Sequence, residues 1–450
     1  MLRSFHKNSN TFKVEHLKLS MSLIMLLPLV LSFNAFAFET DEVKKLQQQL
    51  EKLTKDVEAL KKSPKVNTEG GGLTVDSHDG TKSFKIGGRF QLDYNRFSGA
   101  YNSSPLLSGL DGQAASDLFP RRLRAFLAGH VDNWDYKLLV DFVEYGGQVT
   151  MARLRYKGFK NGPSFKMGRI REDISLESLT SSKHITAISR PMLANVMSPY
   201  FKYGFSAYQY FNSTGIRYAI GAYKSGSFGT LGKDENGDVN HSVTGRLTWS
   251  PLHEKGKVLH FGLWVSERDM GGDTLRPRTA RGEVRNTNVR IVNYAAGGDI
   301  FKVDNMTQYG GEFSSVYGSL SLQAEYAIRD VDAVEAINNS KFNGYYLTTS
   351  YFLTGESRVY KQRGVFHSPT PLSDSGAWEI YARFSQFDAT SDKQGTKAEV
   401  ITLGVTYYLN KKIKVMANYL ISEVDGPGAA SLVGEHTDGK AITARLQYIF

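Results

Sequence analysis

The chain has 450 residues, a net charge of +10 at pH 7, a mean hydropathy of −0.34 and no cysteine. The lack of cysteine excludes disulfide bonds, thiol catalysis and zinc sites built on thiolates. Outside the N-terminal region no run of about 20 apolar residues occurs, so helical membrane spans are not expected, whereas 43 Gly, 24 Tyr and 26 Phe suit short strands, tight turns and aromatic belts.

The first 37 residues have the features of an export signal. Basic residues precede an apolar stretch at 23–31, and a small-x-small cleavage site ends at Ala37. We therefore predict that residues 1–37 are a signal peptide. Met21 is an alternative start codon to Met1, and the sequence leaves that choice open.

Residues 38–64 are predicted to form a periplasmic coiled-coil segment, with its helix at 41–62. Apolar residues recur there at the alternating spacing of three and four that is typical of positions a and d of a heptad. They are Val43, Leu46, Leu50, Leu53, Val57 and Leu60. Three heptads are marginal alone, so we expect them to assist an oligomer held by larger surfaces. The alternative is a single amphipathic helix lying on the barrel or the membrane, which the narrow stripe fits less well.

Residues 65–82 contain three consecutive glycines and are predicted to be a flexible linker. From residue 83 the hydrophobic period changes to two, which indicates strands with one apolar and one polar face. The predicted strands are 84–96, 121–131, 134–144, 148–157, 164–170, 201–211, 214–224, 241–250, 257–267, 306–316, 319–329, 342–353, 376–387, 399–409, 411–421 and 441–450. The fold class is therefore all-β: a 16-stranded antiparallel transmembrane β-barrel over 83–450, with an N-terminal periplasmic coiled-coil helix.

The connections between these strands alternate between short and long, as expected for periplasmic turns and outer loops. One connection breaks the alternation, because residues 354–375 form a long segment on the periplasmic side. Two explanations remain open: a long turn, or a missed pair of strands.

The polar faces of the strands are rich in arginine. If the apolar faces contact lipid, nine arginines face the lumen: Arg89, Arg122, Arg124, Arg153, Arg155, Arg217, Arg246, Arg383 and Arg445. Arginine presents five donors and suits tetrahedral oxyanions, so we predict that these residues bind anions and set selectivity. The alternative is that they pair with acidic residues and only stabilise a polar wall.

Residues 171–200 form the third predicted outer loop and are longer than a connection requires. We predict that this loop folds into the lumen and narrows it, with Arg171, Lys183, His184 and Arg190 as its cationic residues. The alternative is a solvated surface loop.

The last strand ends on an aromatic residue without any tail. Ile442, Ala444, Leu446, Tyr448 and Phe450 share its apolar face. Tyr448 and Phe450 are predicted to be the signal read by the barrel-assembly machinery, which places the chain in the outer membrane of a Gram-negative cell as a multi-pass β-barrel. The last strand of a soluble sandwich is the alternative, but it gives no reason for a terminal aromatic residue.

Six segments together resemble the phosphate-selective porins O and P, also called polyphosphate-selective porins, from about Phe84 to Phe450. They are residues 86–90, 121–124, 133–137, 176–182, 378–380 with Arg383, and 403–410. The resemblance implies a trimer of sixteen-stranded barrels lined by arginine. Two segments of the third loop depart from the family pattern: Glu172-Asp173-Ile174, and Ala187-Ile188-Ser189 before Arg190.

The predicted function is therefore an anion-selective outer-membrane porin for passive uptake of phosphate or polyphosphate. The expected partners are inorganic phosphate or other small anions, membrane lipid and two further copies in a homotrimer; no nucleic acid, cofactor, metal or catalytic residue is expected. No HExxH or GxSxG motif occurs, which argues against an enzyme. Alternatives are a general anion porin, a channel for larger phosphorylated or sulfated solutes, and, in another class, a barrel-embedded enzyme or an adhesin.

Overall fold

The computed structural model describes residues 41–68, 71–143, 146–225, 240–274, 281–300, 302–333 and 341–450. The predicted signal peptide lies outside these residues. The chain divides into two compact units, Met1–Ser63 and Pro64–Phe450. The described part of the first unit is helix α1, Asp41–Lys62, which confirms the predicted helix. Leu46, Leu50 and Leu53 are exposed on it, and their packing in a coiled coil remains a prediction.

The second unit is a closed antiparallel barrel, and all sixteen predicted wall strands are confirmed within the described residues. The wall strands are β3 (Lys82–Gly99), β4 (Ala115–Val131), β5 (Trp134–Asp141), β6 (Gln148–Tyr156), β7 (Ser164–Ile170), β8 (Lys202–Phe211), β9 (Ile216–Lys224), β10 (His241–Glu254), β11 (Lys257–Thr274), β12 (Lys302–Tyr317), β13 (Leu320–Ala333), β14 (Lys341–Phe352), β17 (Ala377–Asp388), β18 (Lys397–Tyr408), β19 (Ile413–Asp425) and β20 (Asp438–Ile449). Each wall strand pairs with its neighbours in sequence, and β20 closes the barrel against β3.

The segment predicted to be a flexible linker contains two short strands. Strand β1 (Lys65–Asn67) pairs with β2 (Leu73–Asp76), and β2 pairs with the start of β3. Gly72 precedes β2 with a φ of +88°, and a Cβ there would lie 2.1 Å from the carbonyl oxygen of Ile86. Because only glycine tolerates both conditions, this part of the segment takes a defined path along the first wall strand.

Alternating burial shows which faces of the wall strands meet lipid. In β20 the side chains of Ile442, Leu446 and Tyr448 are exposed, whereas Arg445 and Gln447 are each only 2% exposed. Aromatic residues cluster near one rim, where Trp134 lies 4.9 Å from Tyr156 between ring centroids. An apolar outer band bounded by aromatic residues is typical of a barrel in a membrane. In the described part of the chain, no helix has the length and apolar character needed for a membrane span.

Three segments that connect wall strands fold into the lumen. The connection between β7 and β8, residues 171–201, contains the constriction loop predicted at 171–200. It includes two short helices, α2 (Leu176–Leu179) and α3 (Met192–Met197). Residues 281–300 belong to the fifth outer loop, and the long periplasmic connection contributes a hairpin of β15 (Val359–Lys361) and β16 (Val365–His367). Both explanations of that connection were therefore partly correct: it is a long turn, and it contains a strand pair that is separate from the wall.

A hydrophobic core lies between two of these inserts and one part of the wall. Met192 and Val196 of α3 and Ile291 of the fifth outer loop are buried with Phe342 of β14 and Phe387 of β17. A short helix between β19 and β20, α4 (Ala429–Val433), adds Val433 to the same core. The inserts are therefore packed against the β11–β20 side of the barrel.

Candidate functional site

The constriction loop is tied to the β13–β20 side by arginines that donate to its backbone. Arg445 donates to the carbonyl oxygen of Ile188 at 2.8 Å, and Arg383 donates to that of Ser189 at 3.0 Å. Arg329 of β13 donates to the carbonyl oxygen of Val196 at 2.7 Å. These bonds satisfy buried carbonyl groups that would otherwise be costly. The loop therefore has a fixed position inside the barrel, which confirms its predicted inward fold.

Carboxylates fix the start of the same loop. Glu172 accepts from Arg268 of β11 at 2.6 Å, and both side chains are fully buried. Glu325 of β13 accepts from the backbone N–H groups of Leu176 and Glu177 at 3.1 and 2.9 Å. The β10–β20 side thus holds the loop by ion pairs as well as by hydrogen bonds.

The periplasmic hairpin meets the constriction loop from the opposite end of the lumen. The N–H of Phe366 donates to Oγ1 of Thr180 at 3.3 Å, and the N–H of Ser368 donates to Nδ1 of His184 at 3.2 Å. The rings of His184 and His367 stack with centroids 4.2 Å apart. Burial, together with Lys361, Arg363 and Lys183, lowers the pKa of His367 to about 4, so this imidazole is neutral at pH 7.

A cavity of about 250 Å³ lies on the β3–β9 side, between the wall and the two inserts. Among the described residues, ten cationic side chains and a single carboxylate, Asp173, line it. The cations are Arg89, Arg124, Lys137, Arg153, Arg155, Lys166, Arg171, Lys183, Arg217 and Arg363. The wall provides seven of them, the loop two and the hairpin one. This excess of positive charge is the main chemical feature of the lumen.

Five of these cations have a carboxylate partner. Asp135 binds both Arg153 and Arg155, Asp141 binds Arg124 at 2.6 Å, and Asp173 binds Lys166 at 2.6 Å and Arg217 at 2.9 Å. Burial alone would raise the pKa of Asp173, but the charges of Lys166 and Arg217 lower it below its usual value. Asp135 and Asp173 each bind two of the lining cations, so these two clusters contain more cations than carboxylates.

Four of the cations have no carboxylate within 4 Å among the described residues: Arg89, Lys137, Lys183 and Arg363. Arg89 donates a long bond of 3.4 Å to Ser181, and the ammonium of Lys137 lies 5.0 Å from the centroid of the Phe126 ring. Burial lowers the pKa of Lys183 to about 8, and the charges of Arg89 and Lys85 contribute. Nε of Arg89 and Nε of Arg153 are buried donors with no acceptor in the described part of the chain. An acceptor in the cavity would satisfy such donors.

The structure brings seven of the thirteen predicted cations together in this cavity: Arg89, Arg124, Arg153, Arg155, Arg171, Lys183 and Arg217. The other six do not line it: Arg122, Arg246, Arg383, Arg445, His184 and Arg190.

Those six residues have structural partners. The prediction that His184 is cationic was wrong, because burial, Lys183 and His367 lower its pKa well below the ordinary value and its Nδ1 accepts from Ser368. Arg122 donates to Gln91 at 2.9 Å, and Arg190 donates to two carbonyl oxygens of its own loop. Arg246 and Arg445 each form two bonds to a carboxylate, Glu312 and Asp93 respectively. Arg246, Arg383 and Arg445 fit the alternative considered for the wall arginines, which is pairing with acidic residues that stabilises a polar wall.

Sequence reasoning missed three lining cations. Lys137 and Lys166 lie opposite Arg153 and Arg155 on neighbouring strands and face the same side of the sheet. Counting the inward-facing lysines as well as the arginines would have found them. Arg363 lies in the periplasmic connection, and no strand period marks its position.

The last residue closes the barrel by backbone pairing. The N–H of Gly88 donates to the carbonyl oxygen of Phe450 at 2.6 Å, and the N–H of Phe450 donates to that of Gly88 at 3.1 Å. The rings of Tyr448 and Phe450 lie 5.8 Å apart on the lipid-facing side. In the described ranges, no cluster of three His, Asp or Glu side chains is arranged to hold a metal ion.

Comparison with known proteins gives one family and several structural relatives. Residues 84–450 match the model of the family described as phosphate-selective porin O and P. Porin O of Pseudomonas aeruginosa is 31% identical over 421 residues, covering 84% of this chain and 91% of that protein. The anion-selective porin of Comamonas acidovorans has a similar fold, with a TM-score of 0.53 and 14% identity over 82% of this chain and all of that structure.

Proposed function

Because the chain belongs to the family of phosphate-selective porins O and P, we propose that it conducts phosphate and related small anions through the cation-lined side of its lumen. Membership makes the chain an outer-membrane β-barrel porin of a Gram-negative bacterium, and a channel rather than an enzyme. The observation that carries the proposal is the cavity with ten cations and one carboxylate.

The physical basis is replacement of hydration. A phosphate ion that enters a narrow passage loses water, and that loss is costly unless fixed donors take its place. The guanidinium groups of Arg124 and Arg153 are held by Asp141 and Asp135 of the wall. That of Arg89 donates to Ser181 of the constriction loop, so all three groups have a defined position from which to donate. Carboxylates next to some of the cations lower the affinity of these sites for an anion, so that a bound anion can also be released.

Register supports a series of sites at different depths. Arg89 pairs with Arg124, Lys137 pairs with Arg153, and Arg155 pairs with Lys166 on neighbouring strands. Arg153 and Arg155 are two residues apart, so their rows are separated by about 7 Å. An anion that moves along this wall exchanges one pair of cations for the next, and no single site has to bind it tightly.

A general anion channel, or a channel for larger phosphorylated or sulfated solutes, is the second candidate. Asp173, the carboxylate that lines the cavity, lies in one of the two segments that depart from the family pattern. Its charge lowers the local positive potential, which would weaken selection among anions of different charge.

Assembly is part of the same proposal. We infer a homotrimer in which α1 tethers three barrels, and recognition of the terminal strand with Tyr448 and Phe450 by the barrel-assembly machinery. Exposed leucines on α1 and the exposed aromatic rings at the chain end support these roles.

The test is single-channel current in chloride with phosphate titrated in. We expect phosphate to reduce the chloride current of the wild type at millimolar concentration, because both anions use the same cations. In Arg89→Gln with Lys137→Gln, the half-blocking phosphate concentration should rise about tenfold, as expected for the loss of two charge-assisted bonds.

The matched control is Lys411→Gln, which removes an exposed charge from a turn outside the cavity and should keep the wild-type value. A wild type that prefers cations, or a chloride current that phosphate never reduces, would show that the proposal is wrong.

A further inference from the structure

A row of apolar side chains crosses the cationic wall of the lumen. Phe126 of β4 pairs with Leu139 of β5, and Leu139 pairs with Met151 of β6. The pairing of Ala152 with Arg169 places Ile170 of β7 opposite Met151. These four residues have the same strand phase as the lumenal cations, and all four line the cavity. The lumen therefore contains a continuous apolar row at one depth.

Cations flank the row on both sides. On β5 it lies between Asp141, which pairs with Arg124, and Lys137. On β6 it lies directly next to Arg153. On β5 the two flanking positions, 137 and 141, are four residues apart, so the cations above and below the row are separated by about 13 Å along the wall. Apolar side chains fill this interval.

Ile170 is fully buried, but the other three residues of the row are not part of the packed interior of the protein. None of the four residues of the row belongs to the three buried hydrophobic clusters formed by the described residues. Phe126, Leu139 and Met151 are only partly buried and face the cavity, where two apolar residues of the constriction loop, Leu179 and Phe201, also lie. Apolar surface left in a wet passage gains free energy when a solute covers it.

An inorganic anion makes no use of such a surface. Phosphate has oxygen atoms on every side and gains nothing from contact with leucine or methionine. An organic phosphate has a charged end for the cations and an apolar end for the row. Contact over a few tens of Å² of apolar area changes affinity by about tenfold.

We propose that the apolar row binds the organic part of phosphate monoesters, so that the cavity prefers aromatic or aliphatic phosphate esters to inorganic phosphate. This inference rests on the proposed anion passage, because the charged end of the ester uses the same cations. It narrows the substrate class to anions that are both charged and apolar.

The experiment compares phosphates of equal charge and increasing apolar area on the full-length protein. Inorganic phosphate, methyl phosphate, butyl phosphate and phenyl phosphate are titrated against chloride current at a pH where all are dianions. We expect the half-blocking concentration to fall steadily along the series, with phenyl phosphate about tenfold more effective than methyl phosphate.

A pair of variants assigns the effect to the row. In Leu139→Thr with Met151→Thr, the advantage of phenyl over methyl phosphate should fall to less than about twofold. The matched control is Leu138→Thr with Leu154→Thr, which makes the same change on the lipid-facing side of the same strands and should keep the wild-type ratio.

The outcomes separate this inference from the proposed function. If methyl and phenyl phosphate block equally while inorganic phosphate still competes with chloride, the row has no binding role and the anion channel stands. If no phosphate reduces the current and the channel prefers cations, the proposed function fails and the inference with it. If the Leu139 and Met151 variant keeps the wild-type ratio, another surface binds the esters. Should that variant not fold, the wild-type series alone decides, because equal block along it overturns the proposal.

Discussion

At the residue scale, the lumenal cations differ by what holds them. Arg383 and Arg445 are bound to carboxylates and to the backbone of the constriction loop, so their charge supports structure. Arg89 and Lys183 lack a carboxylate partner in the part of the chain that is described, so their charge is available to a solute. The side of the strand from which a side chain projects does not distinguish the two groups, because both groups face the lumen.

Lys183 makes anion preference dependent on pH. Its pKa is lowered to about 8 by burial and by the charges of Arg89 and Lys85, so its ammonium group is present below about pH 7 and lost above about pH 9. We expect the ratio of chloride to potassium permeability, measured from reversal potentials in a salt gradient, to fall about twofold over that interval. Chloride is the suitable anion because it does not titrate.

Lys183→Met should show a lower ratio at pH 7 and a smaller fall at higher pH than the wild type. An equal fall in that variant would assign the titration to another group.

The sequence was sufficient to predict the phase of each arginine but not its partner. Alternation showed that Arg153 and Arg445 face inward, because a charge on the lipid face is costly. It did not show that Asp93 pairs with Arg445 where the first and last wall strands meet. The two residues lie 352 positions apart in the sequence and are adjacent only in the folded barrel. Such pairing depends on which strands meet and in which register.

At the element scale, the wall strands and the inward fold of the constriction loop were predictable, but the fold of the periplasmic hairpin was not. The sixteen wall strands follow from a local period of two. The hairpin of β15 and β16 is held by contacts with Thr180, His184 and Arg246, which are 100 or more residues away. Local sequence therefore indicated that the segment 354–375 was unusual but not where it folds.

The terminal strand is expected to control assembly. Phe450 contributes both an exposed ring and two backbone bonds to Gly88 that close the barrel. Deleting Phe450 should leave most of the protein in the periplasm without the heat-resistant mobility of a folded barrel, as measured by fractionation and electrophoresis of unheated samples. Phe450→Tyr keeps the aromatic ring and should assemble normally. Wild-type amounts of folded barrel in the outer membrane of the deletion strain would contradict this role.

At the scale of the whole molecule, α1 is expected to stabilise an oligomer. Leu46, Leu50 and Leu53 are exposed on a helix too short to form a stable coiled coil alone, so neighbouring barrels must keep the helices close. Removing residues 41–62 should lower the temperature at which trimers dissociate while leaving single-channel conductance unchanged.

Leu50→Ala with Leu53→Ala should reproduce the effect of that deletion, and Gln48→Ala with Gln49→Ala, outside the stripe, should not. Equal trimer stability in all variants would mean that the stripe contacts some other partner.

The constriction loop is anchored mainly from one side of the barrel, although Lys166 and Arg217 of the lining wall also bind its Asp173. This arrangement has an evolutionary consequence. Residues that hold the constriction loop, such as Arg268 and Glu325, lie on β11 and β13, whereas residues that line the passage, such as Lys137 and Arg153, lie on β5 and β6. Mutations in the second group can alter which nutrient a bacterium acquires without disturbing the first. We therefore expect adaptation to a new phosphorus source to need only a few substitutions, on the adjacent strands that line the cavity.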